Sequence, residues 1–368
     1  MAISEPSDGG ITFRKTTFRL VAALLIGGLG GALFATFQLP LPWLLGALAT
    51  STIASLAGLK MAVPDNLRRP MIGLLGVMLG TTFTPDRVET ALSWLPTLGA
   101  LVIYVVVVGA AIWSYLRRFS SFDPGTAFFA AMPGGLSEMV ALSERLGGDQ
   151  RSVSLIHGTR LLFIVFTIPF LARLYEPAAA VARPAISLVD LHPVELLTLA
   201  GLGLLGYLVA ARLRMPAATF VGPPIGSSIA HATGWLETQP PYLLMALAQL
   251  VIGSSVGVRC SGVGAPEIAR ALLLGAGGTL MMLLITLVFS GLLHELTDLP
   301  LTLLLLAFIP GGLPEMSLIA LGLAADPAFV VTHHCARVFL VVLIALPASV
   351  WLRRAGWLGV PKADTPAL

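Results

Sequence analysis

The chain has 368 residues, of which 56% are hydrophobic and only 11% are charged. Soluble globular domains are about 45–50% apolar and about 25% charged, so this composition excludes an ordinary soluble enzyme, a disordered chain and a soluble nucleic-acid-binding module. The formal net charge is +3, and the Lys and Arg residues are scattered without forming a basic patch. The sequence therefore predicts an all-α polytopic membrane protein that is surrounded by the lipid bilayer and makes no direct contact with nucleic acid.

Twelve apolar segments follow a short polar N-terminal tail. They cover residues 18–39, 42–59, 71–83, 92–116, 125–146, 153–174, 195–211, 217–233, 242–257, 271–293, 299–323 and 329–351. Six segments lie on each side of a linker, which suggests a duplication. The predicted organisation is an N-terminal tail at 1–17, repeat 1 at 18–175, a linker at 176–193, repeat 2 at 194–352 and a C-terminal tail at 353–368.

The two halves share a motif that supports the duplication. A shift of 177 aligns residues 133–160 with 310–337 without a gap, and 11 of the 28 aligned positions are identical. A membrane composition explains shared Leu and Val residues, but it does not explain shared Glu, Asp, His and Arg. A shift of 173 aligns Gly80-Thr81-Thr82 with Gly253-Ser254-Ser255 and extends the match to the third segment of each half.

The distribution of positive charge favours one topology. Lys and Arg prefer cytoplasmic loops, and the fewest of them fall outside when the two Pro-Gly-Gly segments enter and leave the membrane on one side. The sequence therefore predicts two inverted repeats of five transmembrane helices. Each repeat would carry one re-entrant Pro-Gly-Gly hairpin, and both termini would be cytoplasmic.

A Pro-Gly-Gly turn interrupts the fifth and the eleventh segment. The residues are Pro133, Gly134 and Gly135 in the first half and Pro310, Gly311 and Gly312 in the second. A helix that starts near Leu136 or Leu313 would present free N–H groups and a positive dipole end to the hairpin tip, where anionic groups bind. The alternative interpretation is a kink that only permits tight packing.

Glu138 and Glu315 follow the second Gly of each turn by three residues. An ionisable side chain at membrane depth costs about 3 kcal/mol and is by default a functional-site hypothesis. We interpret the two as binding sites for a coupling ion, either H⁺ or Na⁺. The alternative is a structural ion pair or a cap on the free N–H groups.

His157 and Arg160 lie three residues apart, on one face of the helix after the first hairpin, and His334 and Arg337 repeat this arrangement. Guanidinium groups recognise carboxylate and phosphate through two hydrogen bonds. The two arginines would hold an anionic substrate or the hairpin Glu. In the alternative, each Arg pairs permanently with its own Glu and only stabilises the hairpin.

Two further sets of polar residues recur in the halves. Asp149 and Asp326 end the hairpins, and capping of the next helix is the favoured interpretation for both. Thr81, Thr82, Ser254 and Ser255 are candidate hydroxyl ligands. Helix packing in membranes uses the same residue types, so a purely structural role is the alternative.

Other kinds of site find little support in the sequence. There is no His-x₃-His or Cys-x₂-Cys spacing for a metal, and no Walker loop, dinucleotide fingerprint or Gly-x-Ser-x-Gly. The sequence therefore predicts no enzyme, no metal and no cofactor other than the coupling ion.

The motifs AMPGGLSEM at 131–139 and FIPGGLPEM at 308–316, with the downstream Asp, His and Arg, resemble the AbrB-type duplicated membrane proteins of Gram-negative bacteria. These proteins are catalogued as AbrB-family transcriptional regulators or ammonia monooxygenases. The resemblance implies a multi-pass protein of the bacterial inner membrane. DNA binding would need a basic surface on a soluble domain, and an oxygenase would need a metal site, and the sequence contains neither.

The architecture is also similar to that of the 2-hydroxycarboxylate and glutamate sodium symporters, which are dimeric elevators built from inverted five-helix repeats. That likeness implies a homodimer, but the Gly-Gly-x-Gly hairpin signature of those symporters is absent here. The sequence thus favours an ion-coupled secondary transporter of a small solute, such as an organic anion or an amino acid. A membrane-embedded regulator of gene expression is the alternative, and a metal-dependent oxygenase comes third.

Overall fold

The computed structural model describes residues 9–175, 193–238, 240–260, 265–323, 325–354 and 356. All but the last residue of the predicted linker, residues 1–8 of the N-terminal tail and most of the C-terminal tail lie outside these ranges. Within them every regular element is a helix. The α-helices are α1 (Gly9–Thr36), α2 (Pro42–Leu56), α3 (Asp65–Gly80), α4 (Pro85–Thr90), α5 (Leu95–Phe119), α6 (Pro124–Ala131), α7 (Leu136–Leu146), α8 (Gln150–Tyr175), α9 (Pro193–Arg212), α10 (Ala218–Ala232), α11 (Tyr242–Gly257), α12 (Ala265–Thr297), α13 (Leu301–Phe308), α14 (Leu313–Gly322) and α15 (Pro327–Arg354).

Each predicted apolar segment contains a helix, and the two interrupted segments are each split in two at Pro-Gly-Gly. The third helix begins before its apolar segment, which covers residues 71–83, because α3 starts at Asp65 and contains Pro70. Its first turn forms upstream of Pro70, where the Pro64 carbonyl accepts hydrogen bonds from the amides of the third and fourth residues of the helix.

Within the described residues, six helical stretches are long and apolar enough to cross a membrane. They are Thr16–Thr36, Ala91–Phe119, Gln150–Leu171, Pro193–Arg212, Ala269–Thr297 and Pro327–Arg354. These stretches fit a membrane protein. The 15 residues of α2 rise only about 22 Å, less than the hydrocarbon thickness of about 30 Å, so α2 lies outside this set.

The chain forms two compact units that do not coincide with the two repeats. The first unit contains Met1–Ile72 and Tyr242–Gly264, and the second contains Gly73–Pro241 and Ala265–Leu368. Within the first unit α1 and α2 pack against α11. Within the second, α9 and α10 pack together, and the end of α3 packs against α10. The third helix of each repeat therefore packs with the first two helices of the other repeat.

Close glycine contacts define how α3 and α11 pack. A Cβ atom on Gly80 of α3 would overlap Ser227 Cβ of α10, and a Cβ atom on Gly257 of α11 would overlap Ser51 Cβ of α2. Small residues at such positions let the backbones of two helices approach closely, as helix packing in membranes requires.

These contacts correct the predicted register of the third helices. Ser51 and Ser227 are identical residues 176 positions apart, the same spacing as Gly46 and Gly222, and so are equivalent in the repeat. Their contact partners Gly80 and Gly257 therefore match at a shift of 177. The sequence match at a shift of 173 was wrong by four residues. Each of the two helices has two glycines one helical turn apart, Gly76 and Gly80 in α3 and Gly253 and Gly257 in α11. An alignment that is shifted by one turn therefore compares the same helix face and still pairs glycine with glycine.

The repeat is also visible in the backbone. Leu41, before α2, and Ala217, before α10, adopt left-handed conformations with φ of 44° and 51°. Gln38 and Arg214 both have φ of 54°. Positive φ is uncommon outside glycine, so its recurrence at positions 176 residues apart extends the duplication to residues with no sequence identity.

The glycine contacts lead to a test of the packing. Gly80→Ala and Gly257→Ala are each expected to lower the free energy of unfolding by about 1–3 kcal/mol, because the added methyl group overlaps the neighbouring helix. Gly99→Ala and Gly158→Ala are matched controls, since a Cβ at either position meets no atom within 4 Å. Unfolding of the purified variants in detergent measures the difference, and equal stabilities for all four would contradict this packing.

Candidate functional site

The two Pro-Gly-Gly turns form extended bridges between short helices. Residues 132–135 connect α6 to α7, and residues 309–312 connect α13 to α14. Gly135 and Gly312 occupy the N-cap positions, with φ of −65° and −71° and ψ of 140° and 144°. The second helix of each pair thus begins where the sequence predicted, and the break has the same backbone geometry in both halves.

In the first half, Arg160 and His157 bind the carbonyl groups at the end of α6 and in the bridge. Arg160 Nη1 donates to Met132 O at 3.1 Å, and Nη2 donates to Gly134 O at 3.2 Å. Arg160 Nη2 also lies 2.7 Å from His157 Nδ1, while His157 Nε2 donates to Phe129 O at 2.9 Å. His157 therefore has the neutral form with the proton on Nε2.

The second half repeats this network atom by atom. Arg337 Nη1 donates to Ile309 O at 2.7 Å, and Nη2 donates to Gly311 O at 2.9 Å and to His334 Nδ1 at 3.1 Å. His334 Nε2 donates to Leu306 O at 2.9 Å. Each of these partners lies 177 residues after its counterpart, so the duplication includes individual hydrogen bonds.

The two arginines stabilise the C-terminal ends of broken helices. The last carbonyls of a helix have no partner within the helix and form its negative end, which a nearby cation stabilises. Arg160 is 6% exposed and Arg337 is 2% exposed. At these buried helix ends the arginines, and not water, donate hydrogen bonds to the carbonyls. The sequence predicted a substrate or a Glu as the partner of each arginine. The backbone carbonyls were not predicted, because they leave no side-chain signal in a sequence.

Each hairpin Glu lies over the glycine that begins its own helix. A Cβ atom on Gly135 would overlap Glu138 Oε2, and a Cβ atom on Gly312 would overlap Glu315 Oε2. Both carboxylates are in the first helical turn, where a negative charge is favourable. Both glycines have negative φ, which any residue can adopt, so backbone conformation does not require glycine here. Glycine is required because a larger side chain would occupy the space of the Glu carboxylate.

Both bridges lie between α8 and α15. Arg160 holds the first bridge from α8, and a Cβ on Gly134 would lie 2.8 Å from Val341 Cγ1 of α15. The second bridge is held by Arg337 of α15, and a Cβ on Gly312 would lie 2.9 Å from Leu161 Cδ1 of α8. Each bridge thus contacts the long helix of the other repeat.

Asp149 and Asp326 cap the long helices, as the sequence predicted. The Asp149 carboxylate accepts the amides of Arg151 and Ser152, each at 3.1 Å, and the Asp326 carboxylate accepts two amides of α15. Partial burial raises the pKa of Asp149. Hydrogen bonds from Ser152 and from the backbone, with the charge of Arg151, outweigh this effect and lower the pKa below its ordinary value. The cap therefore contributes stability above the ordinary Asp pKa and loses it as the pH falls.

The residue that follows α7 contacts the first turn of α6. The Asp149 amide, just after α7, donates to Thr126 Oγ1 in the first turn of α6 at 2.8 Å. Asp123 caps α6 and accepts the amides of Gly125 and Thr126. The chain therefore enters and leaves this helix pair at the same end.

The four hydroxyl candidates donate to backbone carbonyls. Thr81 and Thr82 bond Met78 O and Leu79 O at 2.8 and 2.7 Å, and Ser254 and Ser255 bond Ala23 O and Ile252 O at 3.4 and 2.7 Å. The two threonines belong to the second compact unit and the two serines to the first. A ligand role for these hydroxyls stays a prediction.

The buried residue His333 has no counterpart in the first half, and no role was predicted for it from the sequence. His333 is fully buried, with Nδ1 2.9 Å from Phe329 O and Nε2 2.8 Å from Thr97 Oγ1. The aligned position in the first half is Ile156. In the described part of the chain, no three His, Cys, Asp or Glu residues are grouped so that they could hold a metal ion.

The duplicated broken helices and their buried arginine networks define a class of helical membrane protein built from two repeats. The family model described as "Transition state regulatory protein AbrB" matches residues 43–353, and the chain belongs to this family. The resemblance seen in the Pro-Gly-Gly motifs is thereby confirmed.

Two curated relatives are similar over almost their whole length. "Uncharacterized protein YhjN" of Bacillus subtilis (strain 168) is 27% identical over 352 residues, which cover 88% of this chain and 90% of the relative. "Putative regulator AbrB" of Escherichia coli (strain K12) is 26% identical over 321 residues, which cover 84% of this chain and 89% of the relative.

Proposed function

We propose that this protein is an ion-coupled secondary transporter of a small solute, with a small organic anion or an amino acid as the substrate class. The observation that carries the proposal is the pair of extended bridges between α8 and α15, each with a carboxylate at its tip. Irregular backbone at membrane depth is tolerated only where it is buried in protein or lines a cavity. Transporters built from repeats place their substrate and ion sites at such breaks.

The proposed substrate site is formed by the bridges and by the N-terminal ends of α7 and α14. Arg160 and Arg337 position the bridges through the carbonyls of Gly134 and Gly311. The N–H groups of the bridges and first turns are the groups that would bind an anion.

The position of the Glu side chains suggests how ion and substrate are coupled. The carboxylates of Glu138 and Glu315 lie at the same helix ends that would attract an anionic substrate. A proton or Na⁺ bound to the carboxylate removes the repulsion between two negative charges. Binding of the coupling ion therefore favours binding of the anion.

The proposed topology has two inverted repeats of five spanning helices, each with one re-entrant hairpin. The 8 residues of α6 and the 11 of α7 rise only about 12 and 16 Å, and neither helix alone crosses a bilayer. The hydrogen bond from the Asp149 amide to Thr126 Oγ1 supports a hairpin that enters and leaves on one side. We further propose an inner-membrane homodimer with cytoplasmic termini.

Cysteine labelling tests this topology. In a chain whose Cys260 and Cys335 are replaced by serine, Arg117→Cys and Arg145→Cys are expected to react with an impermeant reagent from the same, cytoplasmic side. Labelling of the two positions from opposite sides would contradict the re-entrant hairpin.

Solute uptake tests the transport function. The purified chain is reconstituted in liposomes and offered radiolabelled succinate, glutamate or alanine under a Na⁺ gradient or a pH gradient. Accumulation of at least one probe that depends on one of the gradients is expected. Probes that stabilise the protein against heat are chosen first, because a ligand of the native state raises the unfolding temperature.

The second candidate function is a membrane-embedded regulator. The observation in its favour is that the Escherichia coli relative is named as a regulator. A regulator would bind the solute at the same bridges without moving it. Thermal stabilisation by a probe that the liposomes never accumulate would therefore favour the regulator over the transporter.

A further inference from the structure

Three hydrogen bonds connect the side chain of His333 to two backbone carbonyls. Nδ1 lies 2.9 Å from Phe329 O, Nε2 lies 2.8 Å from Thr97 Oγ1, and Thr97 Oγ1 lies 2.8 Å from Trp94 O. A carbonyl oxygen only accepts hydrogen bonds. The two ends of this chain therefore require a hydrogen on Nδ1 and a hydrogen on the Thr97 hydroxyl.

The middle bond requires one more hydrogen than the neutral side chains supply. If the Thr97 hydroxyl donates to Trp94 O, it can only accept from His333, and Nε2 must carry a hydrogen as well. All three bonds are then made only by the doubly protonated imidazolium. In neutral His333 the hydroxyl must choose between Trp94 O and Nε2, and one bond is lost.

Two features of the surroundings act on a second proton in opposite directions: the complete burial of His333 disfavours a charged ring, and an aromatic neighbour favours it. The ring of Phe329 stacks on the imidazole with centroids 4.0 Å apart, and an aromatic face stabilises a cation. On α15 itself the titratable or charged neighbours are His334, Cys335 and Arg337, and Arg337 opposes a second positive charge. On α5, Tyr104 lies two turns after Thr97. Two further helices pack against α15: α13 has no titratable side chain in its sequence LTLLLLAF, and α14 carries Glu315 in its first turn.

His334 and His157, the buried histidines bonded to Arg337 and Arg160, need no second proton to complete their hydrogen bonds. Arg337 donates to Nδ1 of His334, whose Nε2 donates to a carbonyl, so both nitrogens are satisfied in the neutral ring. His157 is held in the same way by Arg160. A second proton on either ring would break the bond with its arginine.

We propose that His333 is a proton-binding site, in which a proton bound at Nε2 is shared with Thr97 and joins α15 to α5. The aligned residue in the first half is Ile156, so the first repeat has no equivalent of this site. The site lies next to His334 and one turn before Arg337, which hold the second bridge. The inference rests on the proposed function only in one respect: it assigns the proton as the coupling ion.

Nuclear magnetic resonance of the histidine rings tests the proposal directly. The full-length chain, labelled with ¹⁵N in its histidines, is placed in lipid nanodiscs and titrated from pH 8.5 to pH 5, and His333→Gln assigns the signal. His333 is expected to pass from one protonated ring nitrogen to two. His157 and His334 serve as internal controls and are expected to keep the proton on Nε2 throughout.

Two substitutions of Thr97 test the hydrogen count. Thr97→Val removes the acceptor for Nε2 and is expected to lower the proton affinity of His333 about tenfold, which moves its midpoint down by about one pH unit. Thr97→Ser keeps the hydroxyl and is expected to titrate as the wild type. A His333 ring that stays singly protonated at pH 5, or a midpoint that Thr97→Val leaves unchanged, would overturn the proposal.

Uptake measurements separate this proposal from the transporter proposal. Protonation of His333 without uptake of any probe would leave the proton site intact and contradict transport. Uptake with a His333 that never binds a second proton would support transport and refute the proton site.

Discussion

Arg337→Met is expected to lower the free energy of unfolding by about 4 kcal/mol. The substitution leaves the Gly311 carbonyl and the Nδ1 atom of His334 without the donor that Arg337 supplies in a buried site, whereas the Ile309 carbonyl keeps the Gly311 amide at 2.8 Å. A buried polar group that loses its partner costs about 1–3 kcal/mol, and two such groups are affected. Unfolding of the purified variant in detergent, by heat or denaturant, measures the loss.

Three other variants sharpen this test. Arg160→Met is expected to be destabilising to a similar extent, because Arg160 holds the first bridge through the same bonds. Arg337→Lys should be intermediate, since an ammonium group reaches fewer of the acceptors at once. Arg354→Met removes an exposed charge at the end of α15 and is expected to change stability by less than about 0.5 kcal/mol.

The result also distinguishes two roles of the arginines. An arginine that only bound substrate could be replaced with little change in stability and a large loss of uptake. Wild-type stability of Arg337→Met would therefore contradict the role of Arg337 as the cap of a broken helix.

Glu315→Gln is expected to reduce gradient-driven uptake about 100-fold. Glutamine keeps the size and polarity of the side chain, but it can neither carry a negative charge nor bind and release a proton. A 100-fold loss corresponds to about 2.8 kcal/mol, at about 1.4 kcal/mol for each power of ten. Uptake into liposomes, with and without the gradient, measures the effect.

The two repeats supply the comparison variants. Glu138→Gln is expected to give a smaller loss than Glu315→Gln, because Glu138 is only partly buried whereas Glu315 is 6% exposed. Glu144→Gln changes an exposed carboxylate on the same helix as Glu138 and should transport as the wild type. Unimpaired, gradient-dependent uptake by the Glu138→Gln and Glu315→Gln double variant would refute the ion-binding role.

Much of the fold could be predicted from the order of residue types. The apolar segments predicted the helices because helical spans in a membrane need long runs of apolar residues. Pro-Gly-Gly predicted where α6 and α13 end, since proline cannot continue the hydrogen-bonding ladder. The caps at Asp149 and Asp326 were predictable because capping is a local interaction between neighbours in the chain.

The register of the third helices was not predictable in this way. The short match of Gly80-Thr81-Thr82 to Gly253-Ser254-Ser255 is one turn away from the match that the helix contacts define. A helix repeats its face about every four residues, so small residues one turn apart give two almost equally good alignments. The contacts of Gly80 with Ser227 and of Gly257 with Ser51 distinguish between them.

The sequence by itself determined that this protein is a duplicated helical membrane protein with a break, a carboxylate and a His–Arg pair in each half. These features depend on residue type and spacing along one chain. The tertiary structure decided what the side chains bind: Arg160 and Arg337 bind backbone carbonyls, and the hairpin carboxylates lie against Gly135 and Gly312. Every residue type has the same backbone carbonyl, so the identity of that partner is set only when distant segments pack together.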